Sequence, residues 1–378
     1  MVSRRQALKI SAMAAVSAAL AACGAQQQPS QLLPESAPRR NTAASKADGR
    51  ILFAKVQMTD NGGKDDGLYS LDNTKVRKVL SKADGDFALA YPCWSPNGKQ
   101  IAFARAGDRG IYSDLWIMNA DTSNPRQITK FKSGIAHNNN VDAEGRYVKD
   151  SSIVAGLSWS QGGNFITFAS DKGYSALRPW TLEKPDEPPT AQTLHVITAT
   201  AGFSAPNTGV NFHIDNTDIA PDGSAMAFVG LWAQADNYAN KQSQIYMLDF
   251  GTKKYAQLTD LPTFKWGAYD PAFSPDGQQI AFAGRPDYRV NDLFIMSRDG
   301  RNQTQITNTG AARSPVWSPD GKKIAFLAAF EGAQFNIYVM DVSPPPPGTS
   351  FTAANFGTPA KLTDEKGIDA RSGLSWTA

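Results

Sequence analysis

The stretch WSPDGKKIAF, residues 317–326, decides the fold because it recurs along the chain. Each copy combines an aromatic or aliphatic residue, a tight-turn sequence and a short apolar run that ends in phenylalanine. The other copies are WSPNGKQIAF at 94–103, WSQGGNFITF at 159–168, IAPDGSAMAF at 219–228 and FSPDGQQIAF at 273–282. A unit that repeats at intervals of 44 to 65 residues predicts an array of similar structural modules.

Each copy is followed by further strand-like runs. A second apolar run follows the first, as in DLWIMNA at 114–120 and DLFIMSR at 292–298, and a short closing segment follows in turn, as in RQIT at 126–129 and TQIT at 304–307. The apolar residues alternate with period two, which predicts four short strands per unit. One four-stranded sheet would leave its apolar faces in water, whereas radial packing of several sheets buries them.

The serine and aspartate of WSPDG could suggest a nucleophilic site, but their repetition indicates a turn. A nucleophile needs a base and an oxyanion hole at one place in the molecule. Here the same group occurs in several units, with Asn97 replacing the aspartate in one and Gln161 replacing the proline in another. Proline, Asp or Asn, and glycine are the residues that tight turns require. We therefore expect the aromatic residue before each turn, and the phenylalanine after it, to pack between modules.

The two ends of the repeat array supply a sixth module. Residues 50–81 contain three strand-like runs but lack the leading one, and SGLSWTA at 372–378 ends the chain with a leading run alone. Pairing these two segments would close a ring and remove its exposed sheet edge. The sequence thus predicts an all-β, six-bladed β-propeller of four-stranded blades, closed by the C-terminal strand joining the N-terminal blade.

The repeat, clearest at 92–129, 271–307 and 315–342, resembles the WD40-like repeat of TolB-type six-bladed propellers. The resemblance covers residues 50–378 and implies the propeller fold. TolB-type proteins carry an additional α/β domain before the propeller, and residues 24–49 do not resemble one. We therefore do not transfer that family's partner contacts to this chain.

The N-terminus is typical of an exported bacterial lipoprotein. Residues 1–22 begin with Arg4 and Arg5, continue with an Ala-rich apolar stretch and precede Cys23. This end resembles a lipobox, which implies lipid on Cys23, and SRRQALK at 3–9 resembles the twin-arginine export motif. Polar residues 23–49 are expected to form a disordered tether. The predicted location is outside the cytoplasmic membrane, in the periplasm or at the cell surface, with the choice of export route left open.

Charge and motifs exclude several functions. Residues 1–22 carry the whole formal excess of +3, and the remainder has 35 basic and 35 acidic residues. Nucleic-acid binding usually needs a basic stripe, so we expect no nucleic-acid partner. The chain contains no G-x-S-x-G elbow and no H-E-x-x-H motif.

We therefore favour a monomeric module that binds an envelope protein, a peptide or a cell-wall polymer. A propeller enzyme acting on polysaccharide, a lyase or a glycoside hydrolase, is the alternative.

The connections of a propeller fall on two faces. The S-P-D-G turns and the connections between third and fourth strands form one, here called the turn face; the remaining connections form the other, here called the loop face. Long connections and residues suited to anchoring a partner concentrate on the loop face. The candidate binding residues there are His137, Trp232, Tyr238, Trp266, Tyr269, Asp270, Arg285, Arg289, Arg313 and Arg371.

Metal and cofactor signals are weak. His213, Asp215 and Asp218 form an irregularly spaced candidate metal corner. The acidic segment DNGGKDDG at 60–67 lacks the alternating order of a calcium loop, so a hairpin loop is the favoured interpretation. We expect no cofactor, and leave open a structural Ca²⁺ in the channel or the loops.

Overall fold

Six four-stranded antiparallel sheets make up the protein in a computed structural model of the chain. The structure describes residues 47–56, 66–84, 86–107, 112–131, 153–171, 178–197, 212–232, 242–260, 262–330, 334–346 and 348–378. Within these ranges, no helix is long and apolar enough to cross a membrane. The predicted signal peptide, Cys23 and nearly all of the tether lie outside the described residues.

The blades follow one another along the chain, and the predicted all-β six-bladed propeller is confirmed. Blade 1 contains β1 (Arg50–Lys55), β2 (Gly67–Asp72), β3 (Lys75–Ser81) and β24 (Ser375–Thr377). Blade 2 contains β4 (Asp86–Trp94), β5 (Gln100–Gly107), β6 (Tyr112–Asn119) and β7 (Arg126–Gln127). Blade 3 contains β8 (Val154–Trp159), β9 (Phe165–Ser170), β10 (Arg178–Glu183) and β11 (Leu194–Val196).

The second half of the chain has the same order. Blade 4 contains β12 (Phe212–Ile219), β13 (Ala225–Trp232), β14 (Gln242–Asp249) and β15 (Tyr255–Gln257). Blade 5 contains β16 (Ala268–Phe273), β17 (Gln279–Gly284), β18 (Asp292–Ser297) and β19 (Thr304–Gln305). Blade 6 contains β20 (Ala312–Trp317), β21 (Lys323–Ala328), β22 (Asn336–Asp341) and β23 (Ala360–Lys361), with a 3₁₀ turn at Ala353–Asn355.

The C-terminal strand closes the ring as the sequence predicts. β24 pairs antiparallel with β1, in a register that sets Trp376 opposite Ile51. It thereby becomes the innermost strand of blade 1, where it occupies the place that β4 occupies in blade 2. Because closure uses both ends of the chain, β1 is paired on both sides, by β24 and by β2.

The hydrophobic core is divided among the junctions between blades. The described apolar residues form six buried clusters, one at each junction around the ring. The phenylalanine that ends each repeat is almost fully buried in these clusters, at positions 103, 168, 228, 282 and 326. The prediction that the repeated aromatic residues pack between blades is confirmed.

The repeated serine and aspartate form turns, as predicted. In the turns that begin at Ser95, Ser274 and Ser318, the serine Oγ donates to the Asn or Asp side chain two residues later, at 2.5–2.8 Å. The same Oγ accepts a backbone N–H five residues later, at 2.9 Å. The turn glycines have φ between 65° and 75°, which favours glycine. Each repeated serine therefore serves its own turn.

A second repeated pair joins the outer strands. A threonine after the closing strand donates its hydroxyl to an Asp, Asn or Gln near the start of the third strand, as Thr307 does to Asp292 at 2.8 Å. The equivalent pairs are Thr129 with Asp114, Thr259 with Gln244 and Thr363 with Asn336. The closing threonines and their partners therefore have a structural role, since they link the third and fourth strands of each of these blades.

Candidate functional site

A residue with positive φ stands at the same point of the repeat in all six blades. We call the position of Trp317 in the repeat the aromatic position; in the six blades it is occupied by Trp94, Trp159, Ile219, Phe273, Trp317 and Trp376. The residue three places earlier has a positive φ, between 38° and 71°, in every blade. In β4, β8, β12, β16 and β20 the register with the next strand shifts there, which marks a β-bulge. These six residues form a ring that lines the central channel: Tyr91, Gly156, Asn216, Asp270, Ser314 and Gly373.

Asp270 joins three blades within this ring. Its carboxylate accepts hydrogen bonds from Nε and Nη2 of Arg313, at 3.1 and 3.2 Å, and from N and Oγ of Ser314, at 3.0 and 3.1 Å. Nδ2 of Asn216 in blade 4 donates to the same carboxylate. Asp270 is 7% exposed, so this is a buried, bidentate ion pair supported by further donors.

The Arg313 side chain stays charged in this setting. Burial acts to lower the pKa of its guanidinium, but the charge of Asp270, with smaller contributions from Asp369 and Tyr269, raises that pKa overall. The sequence predicts Asp270 and Arg313 on a ligand-binding rim. The structure instead sets them against each other in the channel wall, where they link blades 4, 5 and 6.

The residue just before the aromatic position connects neighbouring blades. In four blades it accepts the backbone N–H of the aromatic position of the next blade. Ser375 Oγ accepts from Trp94 N at 2.9 Å, and Ser158 Oγ accepts from Ile219 N at 3.1 Å. Cys93 in blade 2 accepts from Trp159 N, and Asp218 in blade 4 accepts from Phe273 N. Ala272 and Val316 stand at this position in blades 5 and 6.

Two of these acceptors titrate abnormally. Burial raises the pKa of Asp218 to about 6, against hydrogen bonds from Phe273 N and Ser158 Oγ, at 2.7 Å each, that lower it. Burial likewise raises the pKa of the Cys93 thiol to about 12, so the thiol is neutral in physiological conditions. The channel wall therefore contains a carboxylate with a raised pKa and a cysteine whose thiol is protonated at physiological pH.

A cavity of about 320 Å³ occupies the channel on the side of the S-P-D-G turns. It extends from the ring of left-handed residues to the turn prolines 96, 221, 275 and 319, and we call it the turn-face cavity. Its wall combines apolar residues next to the ring, namely Pro92, Leu157, Pro271, Pro315 and Leu374, with polar residues such as Ser158, Asp218 and Ser375. The sequence directs the search for function to the loop face, so this cavity is a site that sequence reasoning missed.

An exposed aromatic and arginine cluster lies on the loop face of blade 5. Trp266 and Tyr288 are 45% and 48% exposed, and their ring centroids are 5.7 Å apart. The Arg289 guanidinium lies 4.9 Å from the Tyr288 ring centroid and donates to its hydroxyl. Arg285 Nη2 donates to the Tyr288 carbonyl at 2.5 Å. These four residues are called the blade 5 platform.

The platform is held by backbone bonds between its two loops. Trp266 N donates to Arg285 O at 3.0 Å, and Arg285 N donates to Gly267 O at 2.8 Å. Tyr269 Oη donates to Trp266 O at 3.0 Å. A Cβ on Gly267, which has φ of 114°, would lie 2.4 Å from that hydroxyl, so the approach requires glycine. The aromatic rings are thus presented by cross-bonded loops.

The structure brings together part of the predicted binding face. Trp266, Arg285 and Arg289 form the platform with Tyr288, and Tyr269 lies beside it. Arg371 lines the turn-face cavity, with its Nε 3.6 Å from Asp369 Oδ1. His137, Tyr238 and the Trp232 side chain lie outside the described residues, so their predicted roles stay predictions.

The metal corner is only partly described. The side chains of His213 and Asp215 lie outside the described residues, while Asp218 is hydrogen-bonded to Ser158 and to Phe273 N. Within the described residues, no group of three or more His, Cys, Asp or Glu side chains could hold a metal ion. The predictions of a metal corner and of a structural Ca²⁺ remain untested.

Comparison with known proteins agrees with this architecture. Residues 216–368 match the family described as the TolB beta propeller domain. TolB from Acinetobacter baumannii has a similar structure, with a TM-score of 0.59 and 18% identity, over 87% of this chain and 67% of that one. A putative TolB from Agrobacterium tumefaciens gives a TM-score of 0.53 and 17% identity, over 86% of this chain and 92% of that one. At these identities the structures establish the fold alone.

A further similarity concerns a much larger protein. The hydrazine synthase subunit alpha of Kuenenia stuttgartiensis is 44% identical over 66 residues, which are 17% of this chain and 8% of that relative. A solved structure of hydrazine synthase from the same organism gives a TM-score of 0.51 and 16% identity, over 87% of this chain and 48% of that one. The chain therefore spans only a small part of the curated relative it matches.

Proposed function

We propose that this TolB-like six-bladed propeller is a lipid-anchored binding module outside the cytoplasmic membrane, which captures a protein or peptide of the cell envelope on its loop face. The observation that carries the proposal is the blade 5 platform. Trp266 and Tyr288 are each nearly half exposed, and Arg289 packs against the Tyr288 ring. Trp, Tyr and Arg are the residue types that dominate the energy of protein interfaces.

The rigidity of the platform favours binding. An interface pays for the ordering of its side chains and loops, so preformed loops lower the cost of association. The loops that carry Trp266 and Arg285 are already bonded to each other, and Tyr288 is held by both platform arginines. A partner that supplies an apolar side chain and a carboxylate would use both the rings and the guanidinium groups.

The point where the tether enters the fold supports an orientation in which the loop face points away from the membrane. Asp48 precedes β1 and contacts turn-face residues: its Oδ2 accepts from Lys323 Nζ at 2.7 Å, and its carbonyl accepts from Trp376 Nε1 at 2.8 Å. Arg50 donates to the carbonyl of the turn residue Gly98 at 3.0 Å. A lipid on Cys23 would therefore be attached through the turn face, which leaves the loop face directed away from the attachment point.

Site-specific photocrosslinking in intact cells tests the proposal. A photoreactive residue replaces Tyr288 in one strain, and in the control it replaces Arg301, an exposed residue on the turn face. We expect an envelope protein to be attached at position 288, and the adduct to weaken when Trp266 and Arg289 are changed to Ala. Equal labelling at both positions would refute the loop-face site. An amount of adduct that does not change when Trp266 and Arg289 are replaced by Ala would also refute it. The variant Cys23→Ala should leave the membrane fraction after export; retention there would refute the lipid anchor.

The alternative is a propeller enzyme that acts on polysaccharide. Such an enzyme needs carboxylates or basic groups free to reach a substrate. Among the described channel residues, Asp270 is ion-paired with Arg313, whereas Asp218 has only uncharged hydrogen-bond donors, so Asp218 is the channel carboxylate to test. A screen for polysaccharide turnover with and without EDTA separates the two functions. Cleavage that is lost in Asp218→Asn would replace the binding proposal by the enzymatic one.

A further inference from the structure

Among the described residues, the turn-face cavity contains one carboxylate side chain without a basic partner. Asp270 is neutralised by Arg313, and Arg371 lies 3.6 Å from Asp369. Asp218 accepts hydrogen bonds from Ser158 Oγ and Phe273 N, which are uncharged donors. Asp218 is half-buried, and because removing a charge from water is costly unless the charge is paired, this carboxylate is the unexplained feature of the cavity.

The junction between blades does not need this charge. Ser375 and Ser158 make the equivalent bond to the next blade with a neutral hydroxyl. Ala272 and Val316 stand at the same position in two junctions, where no such side-chain acceptor exists. A serine would therefore serve at position 218 without the desolvation cost that raises the Asp218 pKa. A charge that the scaffold does not require points to a ligand.

The surroundings define the chemistry of that ligand. Near Asp218 the cavity is lined by Leu157, which precedes its hydrogen-bond partner Ser158, and by Pro271, two residues before its partner Phe273, with Pro221 at the mouth. An ionised carboxylate accepts about four hydrogen bonds, so Asp218 retains capacity for a further donor. We propose that the turn-face cavity binds a primary ammonium group on a short apolar stem, with Asp218 as its counter-ion and the proline and leucine walls around the stem.

A metal ion fits this donor set less well. Ca²⁺ takes six to eight oxygen ligands, commonly from several carboxylates. Within the described ranges, no three acidic, histidine or cysteine side chains are close enough to share an ion. A carboxylate whose hydrogen-bond donors Ser158 and Phe273 are both uncharged instead matches a monovalent cation with three N–H donors.

The binding is expected to depend on pH. An ammonium group favours the ionised carboxylate, so its affinity falls as the pH drops through about 6, the pKa of Asp218. Strands β8, β9 and β13, which pack against β12, carry no ionisable side chain. The other ionisable side chains described in the neighbouring elements and the cavity wall are Tyr91, Tyr269, Asp270, Arg178, Glu183, Cys93 and Arg371.

Ligand-observed NMR on the full chain tests this site with defined probes. The probes are n-butylammonium, n-butanol and n-butyrate, which share a stem and differ in charge. We expect saturable binding of n-butylammonium at pH 7.5, at least tenfold tighter than that of the other two, and a loss of about tenfold between pH 7 and pH 5. Capped Gly-Lys-Gly and Gly-Gln-Gly peptides then distinguish a lysine side chain from a free amine as the source of the group.

A matched pair of variants assigns the binding to Asp218. Asp218→Asn keeps a hydrogen-bond acceptor but removes the charge, and should weaken n-butylammonium binding at least tenfold. Asp222→Asn removes a carboxylate four residues away, on the turn, where it is paired with Arg298 at 2.8 Å, and should change nothing. Equal affinity for n-butylammonium and n-butanol in the unmodified protein would overturn the proposal without reference to any variant. Undiminished amine binding by a folded Asp218→Asn protein would also overturn it. The platform on the opposite face plays no part in either outcome.

Discussion

Replacement of Trp376 by alanine tests how much the C-terminal strand contributes to the ring. Trp376 is 8% exposed and belongs to the cluster between blades 6 and 1, together with Ile51, Phe53 and Leu327. Its indole Nε1 donates to the carbonyl of Asp48 at 2.8 Å. The side chain thus connects the last strand to the first one and to the segment that leads into it.

The expected loss follows from the buried area. A buried tryptophan removes about 150–250 Å² from water, which at about 25 cal/mol per Å² corresponds to about 4–6 kcal/mol. Measured Phe or Trp to Ala changes in cores cost about 3–5 kcal/mol. Loss of the indole hydrogen bond adds about 1 kcal/mol. We therefore expect Trp376→Ala to lower the free energy of unfolding by about 4–6 kcal/mol.

The matched control is Trp266→Ala, which removes the same side chain from the loop face. Trp266 is 45% exposed, so its loss should cost about 1 kcal/mol or less, as is usual for surface changes. Urea unfolding followed by far-ultraviolet circular dichroism gives both values. Circular dichroism is used because each variant lacks one tryptophan, which would alter a fluorescence signal. Equal losses in the two variants would mean that β24 does not hold the ring together, and the closure would have to be abandoned.

Two further predictions concern the channel. Asp270→Ala leaves Arg313 buried without a counter-ion and should lower the free energy of unfolding in urea by about 3–5 kcal/mol. The control Asp299→Ala removes the exposed partner of Arg301 and should lower it by at most about 1 kcal/mol. Similar losses in the two variants would contradict the buried ion pair between Asp270 and Arg313. The pKa of Asp218 is raised in the folded state to about 6, so its contribution to stability is present below about pH 4 and is lost as the pH rises through 6. Between pH 4 and pH 7.5 the unmodified protein should lose about 1–3 kcal/mol more than Asp218→Asn, after allowance for solvent screening. Parallel pH profiles of the two proteins would refute this assignment.

The fold could be predicted because the repeat has a physical cause at each of its positions. Gly321 needs a positive φ, Ser318 bonds to both sides of its turn, and Phe326 fills the junction between blades. The glycine and the phenylalanine recur in blades 2 to 6, and the serine in four of these blades, so they appear in the sequence as a pattern. Closure was predictable for the same reason, since Trp376 stands at the aromatic position although no turn follows it.

The candidate sites were less predictable because they depend on contacts between different repeats. Asp270 and Arg313 suit a binding rim by residue type, yet a separation of 43 residues in sequence becomes a bidentate contact in the channel wall. The rigidity of the platform depends on backbone bonds between the loops of Trp266 and Arg285, which no local pattern reports. Alignment of the repeats could have revealed the ring of left-handed residues, because Gly156 and Gly373 occupy the same position in their blades.

Repetition also provides an internal standard for deciding which channel residues are scaffold. At the position before the aromatic residue, the scaffold needs at most one acceptor, and Ser158 and Ser375 supply it without a charge. Asp218 supplies the same acceptor, and burial raises its pKa there. Asp218 therefore carries a desolvation cost that a serine at the same position would avoid. A residue that lowers stability without a structural role of its own is expected to serve a ligand. By the same standard the repeated turn serine is scaffold, since its oxygen is bonded within its own turn in three blades. Departures from the repeat, more than the repeat itself, therefore mark where this propeller is specialised.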